Sequence, residues 1–419
     1  MAQNRCIPIA TTCMSWINGS VTRSDGMGRR APGFRRHRLA QRRKAIGLSQ
    51  ERLAEVLGVD RSTIVRWERA ETDPQPWHRP HLATALKVSI EELADLLLPD
   101  THQPPATPDG RLAYALRLPG RVDLITVARL RERVRHLDER YDQTPSTLLL
   151  AEAAQLHGQA VFLRQHADVG SVRRELAAAV AEAATLMGQL VWDATQRHDH
   201  AASATYFDQA ISAAREARDP VAEANAILRK SYLALYGTRR PTAALALTTQ
   251  AAAVSRRDSH VLAGLAHLHC AEAHAMLGHV PDCTEALGAA EDHFASVGTQ
   301  DPAAALYCPS HYARLAGSCW LSLGQSTKAV KALETAHHLI AVRRKSTAVV
   351  LGNLALANIR HRDLDTAVSY LNLAVDVIER TRAGGGLTLA FAAARQLRPW
   401  SGQPLVQDVN DRLLTLMTP

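Results

Sequence analysis

The segment that follows Asp60 carries hydrogen-bonding cations along one face of a predicted helix. On a helix that lies in a DNA major groove, an arginine guanidinium can donate two hydrogen bonds to O6 and N7 of guanine, which discriminates that base by roughly 1–3 kcal/mol. Arg61 and Arg66 are five residues apart, so each is expected to contact a different base pair. Arg69 is expected to contact a phosphate. The residues on this face are Arg61, Ser62, Val65, Arg66 and Arg69.

Two short helices joined by a glycine turn are predicted to position these side chains. Leu53 and Leu57 lie four residues apart and give the first helix an apolar face. Gly58 is expected to end that helix, because glycine adopts the left-handed conformation without a Cβ penalty. Asp60 is expected to cap the second helix, and Trp67 is expected to lie in the core. This arrangement is typical of a helix-turn-helix.

The positive charge of the chain is concentrated around this pattern. Between Arg29 and Lys87 there are fourteen basic and six acidic residues, and their difference equals the net charge of +8 of the whole 419-residue chain. A basic field around a helix-turn-helix is typical of phosphate binding. The alternative, that the arginines only solvate a small domain, explains this clustering less well.

At this point the sequence resembles a known family. The segment GLSQERLAEVLGVDRSTIVRWERA, followed by a proline-containing loop and LATALKVSIEEL, is similar to the Xre/Cro family of five-helix DNA-binding domains, which includes the lambdoid phage repressors. The resemblance covers about Arg35 to Leu98 and implies a five-helix lambda-repressor-like fold. Ser89 and Glu92 have the spacing of a capping box at the start of the fifth helix.

The resemblance also implies roles for individual residues. It implies base contacts from Arg61, Ser62 and Arg66, and a backbone contact from Thr63. Gln50 would contact a phosphate or the first base. The family commonly pairs an arginine of the first helix with a glutamate near the end of the third. The residues at those positions are Arg43 and Glu68, and Ala70 stands where glycine is usual at the end of the third helix.

The remaining chain divides by composition into four predicted segments. Residues 1–33 lack helical or strand periodicity and are expected to form a disordered basic tail, with Met27 as an alternative translation start. Residues 34–98 form the domain described above, residues 99–120 a proline-rich linker, and residues 121–419 a helical repeat domain. The arginines at the junction of tail and domain would act either as a basic arm along DNA or as a solvated tail. They are Arg29, Arg30, Arg35 and Arg36.

The C-terminal region repeats a pattern of small residues with a larger one between them. Corresponding positions are separated by 41, 39, 46 and 38 residues. The pattern resembles tetratricopeptide repeats (TPRs), although those repeat every ~34 residues, so longer helices or loops are expected here. We therefore predict an all-α chain that ends in a TPR-like α-solenoid. The corresponding positions are Ser203, Ala244, Cys283, Ala329 and Ala367.

A TPR-like solenoid lines an extended groove with the first helix of each repeat. Side chains of these helices are candidates for binding an effector, although each one alone is more often a solvated or packing residue. The candidates are Lys230, Tyr232, His267, His274, Arg314 and Asn358.

Several other classes of protein and site are disfavoured. The longest apolar runs are shorter than the roughly 20 residues of a membrane helix, and six scattered cysteines favour reduced, cytosolic thiols. We find no nucleotide-binding glycine loop and no nucleophile elbow, so an enzyme is not expected. His267, Cys270 and His274 share a helical face, but they lack a fourth ligand and the paired spacings of a structural zinc site. We therefore predict neither a metal nor another cofactor, and interpret Gly384–Gly386 as a flexible connection between helices.

These features lead to a hypothesis for function. The architecture resembles the repeat-containing, peptide-responsive regulators of bacteria, and the Ala/Arg-rich sequence resembles those of actinobacteria. We expect a cytoplasmic, nucleoid-associated transcriptional regulator that binds a double-stranded DNA operator as a homodimer. Its repeat domain would sense a peptide, a small molecule or a protein partner. The alternative is a TPR scaffold that recruits another regulator and attaches to DNA mainly nonspecifically.

Overall fold

The computed structural model describes residues 36–97, 107–340, 344–382 and 384–416. The described residues are helical, with turns and no β-strand. The chain divides into two compact units, Met1–Pro104 and Pro105–Pro419. The predicted tail, residues 1–33, lies outside the described residues, and none of the described helices is long and apolar enough to cross a membrane.

The described part of the first unit has five α-helices in the predicted order. A 3₁₀ turn at Pro76–His78 precedes the fourth helix. The helices are α1 (His37–Ala45), α2 (Gln50–Leu57), α3 (Arg61–Glu68), α4 (Arg79–Leu86) and α5 (Ile90–Leu96).

Local sequence signals determine where these helices begin and end. Gly58 adopts a φ of 65° and ends α2, as its lack of a Cβ allows. The Asp60 carboxylate accepts a hydrogen bond of 2.7 Å from the backbone N–H of Ser62 at the start of α3. Ser89 and Glu92 form the predicted capping box at α5, with reciprocal hydrogen bonds of 2.9 and 3.0 Å. The predicted capping signals are therefore confirmed.

The apolar sides of these helices form one core. Trp67 is only 3% exposed, which confirms its predicted place in the core. The largest side chains that pack around it come from all five helices, and they are Leu39, Leu53, Ile64, Leu82, Leu86 and Leu93.

The described part of the second unit is built from α-helices alone, apart from short 3₁₀ and π-helical turns. A π-helical turn at Leu233–Gly237 directly follows the helix Pro220–Tyr232. The helices are α6 (Pro108–Arg117), α7 (Leu124–Tyr141), α8 (Ser146–His166), α9 (Gly170–Ala194), α10 (His200–Ala217), α11 (Pro220–Tyr232), α12 (Pro241–Ser255), α13 (His260–Leu277), α14 (Val280–Ala295), α15 (Ser310–Ser322), α16 (Ser326–Leu339), α17 (Lys345–Arg360), α18 (Leu364–Thr381), α19 (Gly384–Gln396) and α20 (Pro404–Thr415).

Part of the predicted linker is helical. Residues 108–117 form α6, and Pro119–Arg121 form a 3₁₀ turn. The prolines do not prevent this, because Pro108 lies at the first position of the helix, where proline is tolerated. Ala115 is 1% exposed and belongs to the core formed with α7–α9, so burial of the apolar face of α6 stabilises a helix that the composition alone disfavours.

The helices of the second unit form a region of repeated helices, each packed against its neighbours, as the repeat pattern predicts. Helices α9 to α18 pack as successive hairpins, each with a first and a second helix. All five corresponding repeat positions lie on second helices and are completely buried. They are Ser203, Ala244, Cys283, Ala329 and Ala367.

Glycines of the first helices allow second helices to pack closely against them. A Cβ atom on Gly188 would lie 2.7 Å from the Phe207 ring, and one on Gly317 would lie 2.6 Å from Cγ of Leu333. Both distances are shorter than ordinary contacts between carbon atoms. The larger residue of the second helix therefore occupies the space that a side chain of the first helix would need.

The prediction of a flexible connection at Gly384–Gly386 is wrong. These buried glycines form the first turn of α19, and a Cβ on Gly386 would lie 2.5 Å from Cβ of Ala348. The Gly384 N–H donates a hydrogen bond of 3.1 Å to Asp193, which also accepts one of 2.8 Å from Nζ of Lys345. Close packing and this buried polar junction, which the local sequence does not show, order the glycines.

Candidate functional site

The exposed face of α3 carries the predicted nucleic-acid contacts. The Arg61 side chain is 60% exposed and forms an ion pair of 2.6 Å with Glu51, which is also exposed. Ser62 and Arg66 are exposed, whereas Thr63 is half-buried. Exposed ion pairs contribute little to stability, so Arg61 can exchange Glu51 for another anion at small cost.

Two arginines extend this face toward the end of α3. Arg66 forms no ion pair or side-chain hydrogen bond with the other residues that the structure describes. Arg69 directly follows the last helical residue and lies 3.8 Å from the Glu71 carboxylate, with 59% of its side chain exposed. Both guanidinium groups are therefore accessible to an external partner.

Gln50 connects α2 with α3 through both ends of its amide. Its Nε2 donates a hydrogen bond of 2.6 Å to Oε2 of Glu68, and its Oε1 lies 3.5 Å from a guanidinium nitrogen of Arg61. Glu68 is held from the other side by Arg43, whose Nε donates a hydrogen bond of 2.7 Å to Oε1. The predicted pair between Arg43 and Glu68 is confirmed, and Gln50 adds a third member to it.

Arg36 does not belong to a basic arm. It is 4% exposed, and its guanidinium donates hydrogen bonds of 2.8 and 2.9 Å to the carbonyl oxygens of Trp67 and Thr72. It also contacts the carbonyl oxygen of Leu97 and the carboxylate of Asp73. Arg36 therefore holds the ends of α3 and α5 together. The other arginines of the predicted arm, Arg29, Arg30 and Arg35, lie outside the described residues.

Two of the six candidate effector residues lie in a common cluster on the first helices. Tyr232 on α11 packs on the ring of His269 on α13, with 4.6 Å between ring centroids. Arg314 on α15 interacts electrostatically with Tyr232 and with Glu272. We call this group the inner polar cluster. It consists of Arg229, Tyr232, Tyr236, His269, Glu272, His311 and Arg314.

The other four candidates lie outside this cluster. Lys230 forms an ion pair with Asp208 on the neighbouring second helix α10. The buried Asn358 donates a hydrogen bond of 2.9 Å to the carbonyl oxygen of Leu354 within its own helix. His267 stacks on His293 of α14, and His274 lies near the turn that joins α13 to α14. These four residues also lie on first helices, but their side chains point to other sides of those helices and therefore do not join the cluster.

Hydrogen bonds order the centre of the inner polar cluster. Glu272 accepts a hydrogen bond of 2.7 Å from Nδ1 of His269 and another from the hydroxyl of Tyr236. Burial by itself would raise the pKa of Glu272. The hydrogen bonds from His269 and Tyr236 outweigh this effect, so the pKa of Glu272 lies below its ordinary value. Burial also lowers the pKa of His269, so this imidazole is neutral at pH 7. Glu272 is therefore a buried carboxylate with satisfied acceptors.

The two arginines at the edge of the cluster are not held by hydrogen bonds in this way. Within the described residues, neither Arg229 nor Arg314 forms an ion pair or a side-chain hydrogen bond, and Nε of Arg314 is buried. The Arg229 guanidinium lies 5.7 Å from the centroid of the Tyr232 ring. Burial, together with the charge of Arg314, lowers the pKa of His311 to about 3, so His311 is neutral at pH 7. Half-buried guanidinium groups that form no ion pair can donate hydrogen bonds to acceptors from outside the protein.

Five members of the inner polar cluster were not among the candidates from sequence. Their signal is helical spacing on successive first helices: Arg229, Tyr232 and Tyr236 at i, i+3 and i+7, and the pairs at i and i+3 on α13 and α15. The members missed are Arg229, Tyr236, His269, Glu272 and His311.

Comparison with known proteins bears on the first unit. A helix-turn-helix family matches residues 39–93, which span α2 and α3, the exposed arginines and most of the five-helix core. No curated protein matches the chain. Residues 39–93 therefore form an Xre-like helix-turn-helix domain, which supports a DNA-binding function of the transcription-regulator type.

Proposed function

We propose that this protein is a sequence-specific transcriptional regulator whose TPR-like unit senses a ligand or partner. The observation that carries the proposal is the exposed, cationic face of α3 on a domain that matches a helix-turn-helix family. In such domains the second helix of the motif lies in the major groove. We assign base contacts to Arg61, Ser62 and Arg66 on this face. Backbone contacts are assigned to Thr63 and Arg69, and Gln50 is assigned to a phosphate or to the first base.

The network around Glu68 supports this assignment. Gln50 and Arg61 lie within hydrogen-bonding distance of one another, so the start of α2 and the start of α3 present their polar groups side by side. The buried carboxylate of Glu68 fixes one end of the Gln50 amide. The fixed amide of Gln50 and the exposed guanidinium of Arg61 can therefore contact adjacent groups of a DNA duplex. Contacts to phosphates set the register in which base contacts are made.

The inner polar cluster is the proposed sensing surface of the second unit. It retains Tyr232 and Arg314 from the sequence-based candidates and adds two features that favour a ligand: guanidinium groups without ion pairs and a row of aromatic rings. The ligand would be a peptide, a small molecule or a segment of a protein partner. Its binding would change the geometry of a homodimer and thus the spacing of two recognition helices on an operator.

Binding to specific and scrambled DNA at near-physiological salt tests the proposal. Genome-wide mapping of bound sites first supplies the candidate operator. A sequence-specific regulator should bind that operator about 10³–10⁷ times more tightly than a scrambled duplex of the same length. Equal affinity for both would instead support the alternative, a TPR scaffold that attaches to DNA nonspecifically.

The sensing role requires a separate comparison. The full chain and a variant with Arg314→Ala should bind the operator equally in the absence of ligand, since Arg314 belongs to the second unit. In cells, occupancy of the operator should respond to growth conditions with the natural chain and not with the variant. An unchanged response would remove the inner polar cluster from the mechanism, while leaving DNA binding intact.

A further inference from the structure

Three side chains with metal-binding atoms meet at the turn between α13 and α14. His274 lies in the last turn of α13, His279 directly precedes α14, and Asp282 lies in its first turn. Gly278 ends α13 with a φ of 78°. The backbone N–H of His279 donates a hydrogen bond of 3.0 Å to the carbonyl oxygen of His274, so the turn itself holds the two histidines together.

The distances between the donor atoms are close to those around a zinc ion. Nδ1 of His274 lies 3.8 Å from Oδ2 of Asp282, and Nδ1 of His279 lies 3.6 Å from the same oxygen. Each residue offers one ligand atom, and the three atoms all lie within 4.8 Å of one another. Because zinc binds nitrogen and oxygen at about 2.0–2.2 Å, tetrahedral ligands are about 3.3 Å apart. Small side-chain rotations would therefore bring all three atoms to one ion.

The position of Asp282 at a helix N-terminus explains the carboxylate but not the two histidines beside it. A carboxylate in the first turn interacts favourably with the helix dipole without any metal. Nδ1 of His274, however, is buried and has no hydrogen-bond partner among the described residues, since 3.8 Å to Asp282 is too long for one. A buried nitrogen directed toward a carboxylate and a second imidazole has the arrangement of a metal ligand.

The structure separates the residues that share a helical face with His274 in the sequence. His267 stacks on His293, with 5.4 Å between their ring centroids. The thiol of Cys270 donates a hydrogen bond of 3.1 Å to Oγ1 of Thr248. The set of His267, Cys270 and His274 therefore does not form a common site, and His274 is grouped with residues beyond the end of its helix.

We propose that His274, His279 and Asp282 bind a zinc ion, with water in the remaining coordination position. The donor set of two imidazoles and one carboxylate suits zinc and other late divalent metals, and it is a poor match for magnesium or calcium, which prefer oxygen ligands. The ion would link the end of α13 to the start of α14 and stabilise this hairpin of the solenoid.

Calorimetric titration of the full-length, metal-free protein with zinc tests the proposal. The protein is prepared without a polyhistidine tag and treated with a chelator. We expect one zinc ion per chain and a rise in the temperature of thermal unfolding, because a ligand that binds only the folded state stabilises it. His279→Ala and Asp282→Ala should each weaken binding at least about tenfold, since even the loss of outer partners of a zinc ligand has that effect.

A matched control uses the neighbouring histidine cluster of His260, His267 and His293. His293→Ala should bind zinc as the natural protein does, because the ring contacts of His293 with described residues are to the other two members of that cluster. Circular dichroism checks that each variant is folded. Loss of zinc binding in His293→Ala, or its retention in both His279→Ala and Asp282→Ala, would overturn the assignment.

Cobalt substitution identifies the ligand atoms. A site made of nitrogen and oxygen should give visible d–d bands without the near-ultraviolet charge-transfer band of a thiolate, and Cys270→Ala should leave the spectrum unchanged. A thiolate band would show that a cysteine ligates the metal and would overturn the assignment to His274, His279 and Asp282. Absence of stoichiometric zinc or cobalt binding would overturn the proposed metal site.

Discussion

Arg43 and Glu68 form a bidentate, buried ion pair between α1 and α3. Nε of Arg43 lies 2.7 Å from Oε1 and Nη2 lies 3.4 Å from Oε2, and their side chains are only 6% and 9% exposed. Gln50 donates a further hydrogen bond to the same carboxylate. The pair therefore fixes α3 on the rest of the domain and positions Gln50, one of the proposed DNA contacts.

Replacing Glu68 should destabilise the first unit strongly. Glu68→Ala leaves the Arg43 guanidinium buried without its counter-charge, and removing one partner of a buried pair typically costs about 3–5 kcal/mol. Chemical unfolding followed by circular dichroism measures the loss. The exposed pair between Arg52 and Glu55 is the control: Glu55→Ala should leave the unfolding midpoint nearly unchanged. A small effect of Glu68→Ala would show that solvent enters and hydrates Arg43.

Ala70 is expected to be a site of backbone strain. It has a φ of 53°, in the left-handed region that costs a residue with a Cβ about 1–2 kcal/mol, and the related family usually has glycine there. Ala70→Gly should therefore raise the free energy of unfolding of the first unit by about 1 kcal/mol. Ala85→Gly, inside α4, should lower it by a similar amount because glycine disfavours a helix interior. If both variants changed the free energy of unfolding in the same direction, this explanation would be contradicted.

Arg66 and Arg69 should differ in how they affect DNA binding. Arg66→Ala should relax the preference for one base pair, since a bidentate contact to guanine carries roughly 1–3 kcal/mol of discrimination. Arg69→Ala should weaken binding to all duplexes equally and reduce the salt dependence by about one phosphate contact. Binding to a library of single-base variants of the operator distinguishes the two effects. Uniform weakening by Arg66→Ala would make Arg66 a phosphate contact.

Two glycines of the solenoid should respond oppositely to substitution by alanine. Gly317→Ala places a Cβ 2.6 Å from Leu333, so the second unit should lose about 1–3 kcal/mol of stability through overpacking. Gly288 lies inside α14 with no atom within 4 Å of an added Cβ. Gly288→Ala should stabilise that helix by about 0.5–1 kcal/mol. Thermal unfolding of both variants measures the difference, and destabilisation by both would argue against close packing as the cause.

The stability of the second unit should fall in mild acid. Burial lowers the pKa of His311 from 6.5 to about 3 and also lowers the pKa of His269, so the folded protein binds fewer protons than the unfolded chain below pH 6.5. Stability is therefore present above pH 6.5 and decreases as the pH falls toward 3. His311→Gln should flatten this dependence, whereas the exposed His198→Gln should not. Unfolding midpoints measured between pH 7 and pH 4 provide the test.

Helix boundaries and the repeat pattern could be predicted because their causes are local or periodic. Gly58 ends α2 through its own conformational freedom, and Ser89 and Glu92 cap α5 within one turn. The small residue at Ala329 and its counterparts are buried because the helix period places them at a helix crossing. These features depend on residues within a few positions of each other or on a regular spacing, both of which are visible in the printed sequence.

The partners of individual polar side chains depend instead on how distant segments pack. Arg36 appears from its neighbours to belong to a basic tail, yet its hydrogen bonds go to carbonyl oxygens 31 to 61 residues away. His274 lies on the face of His267 and Cys270 in the helix, but the turn at Gly278 places it beside Asp282. In both cases the side-chain contacts follow from tertiary packing and from the direction of one turn, which short-range spacing does not contain.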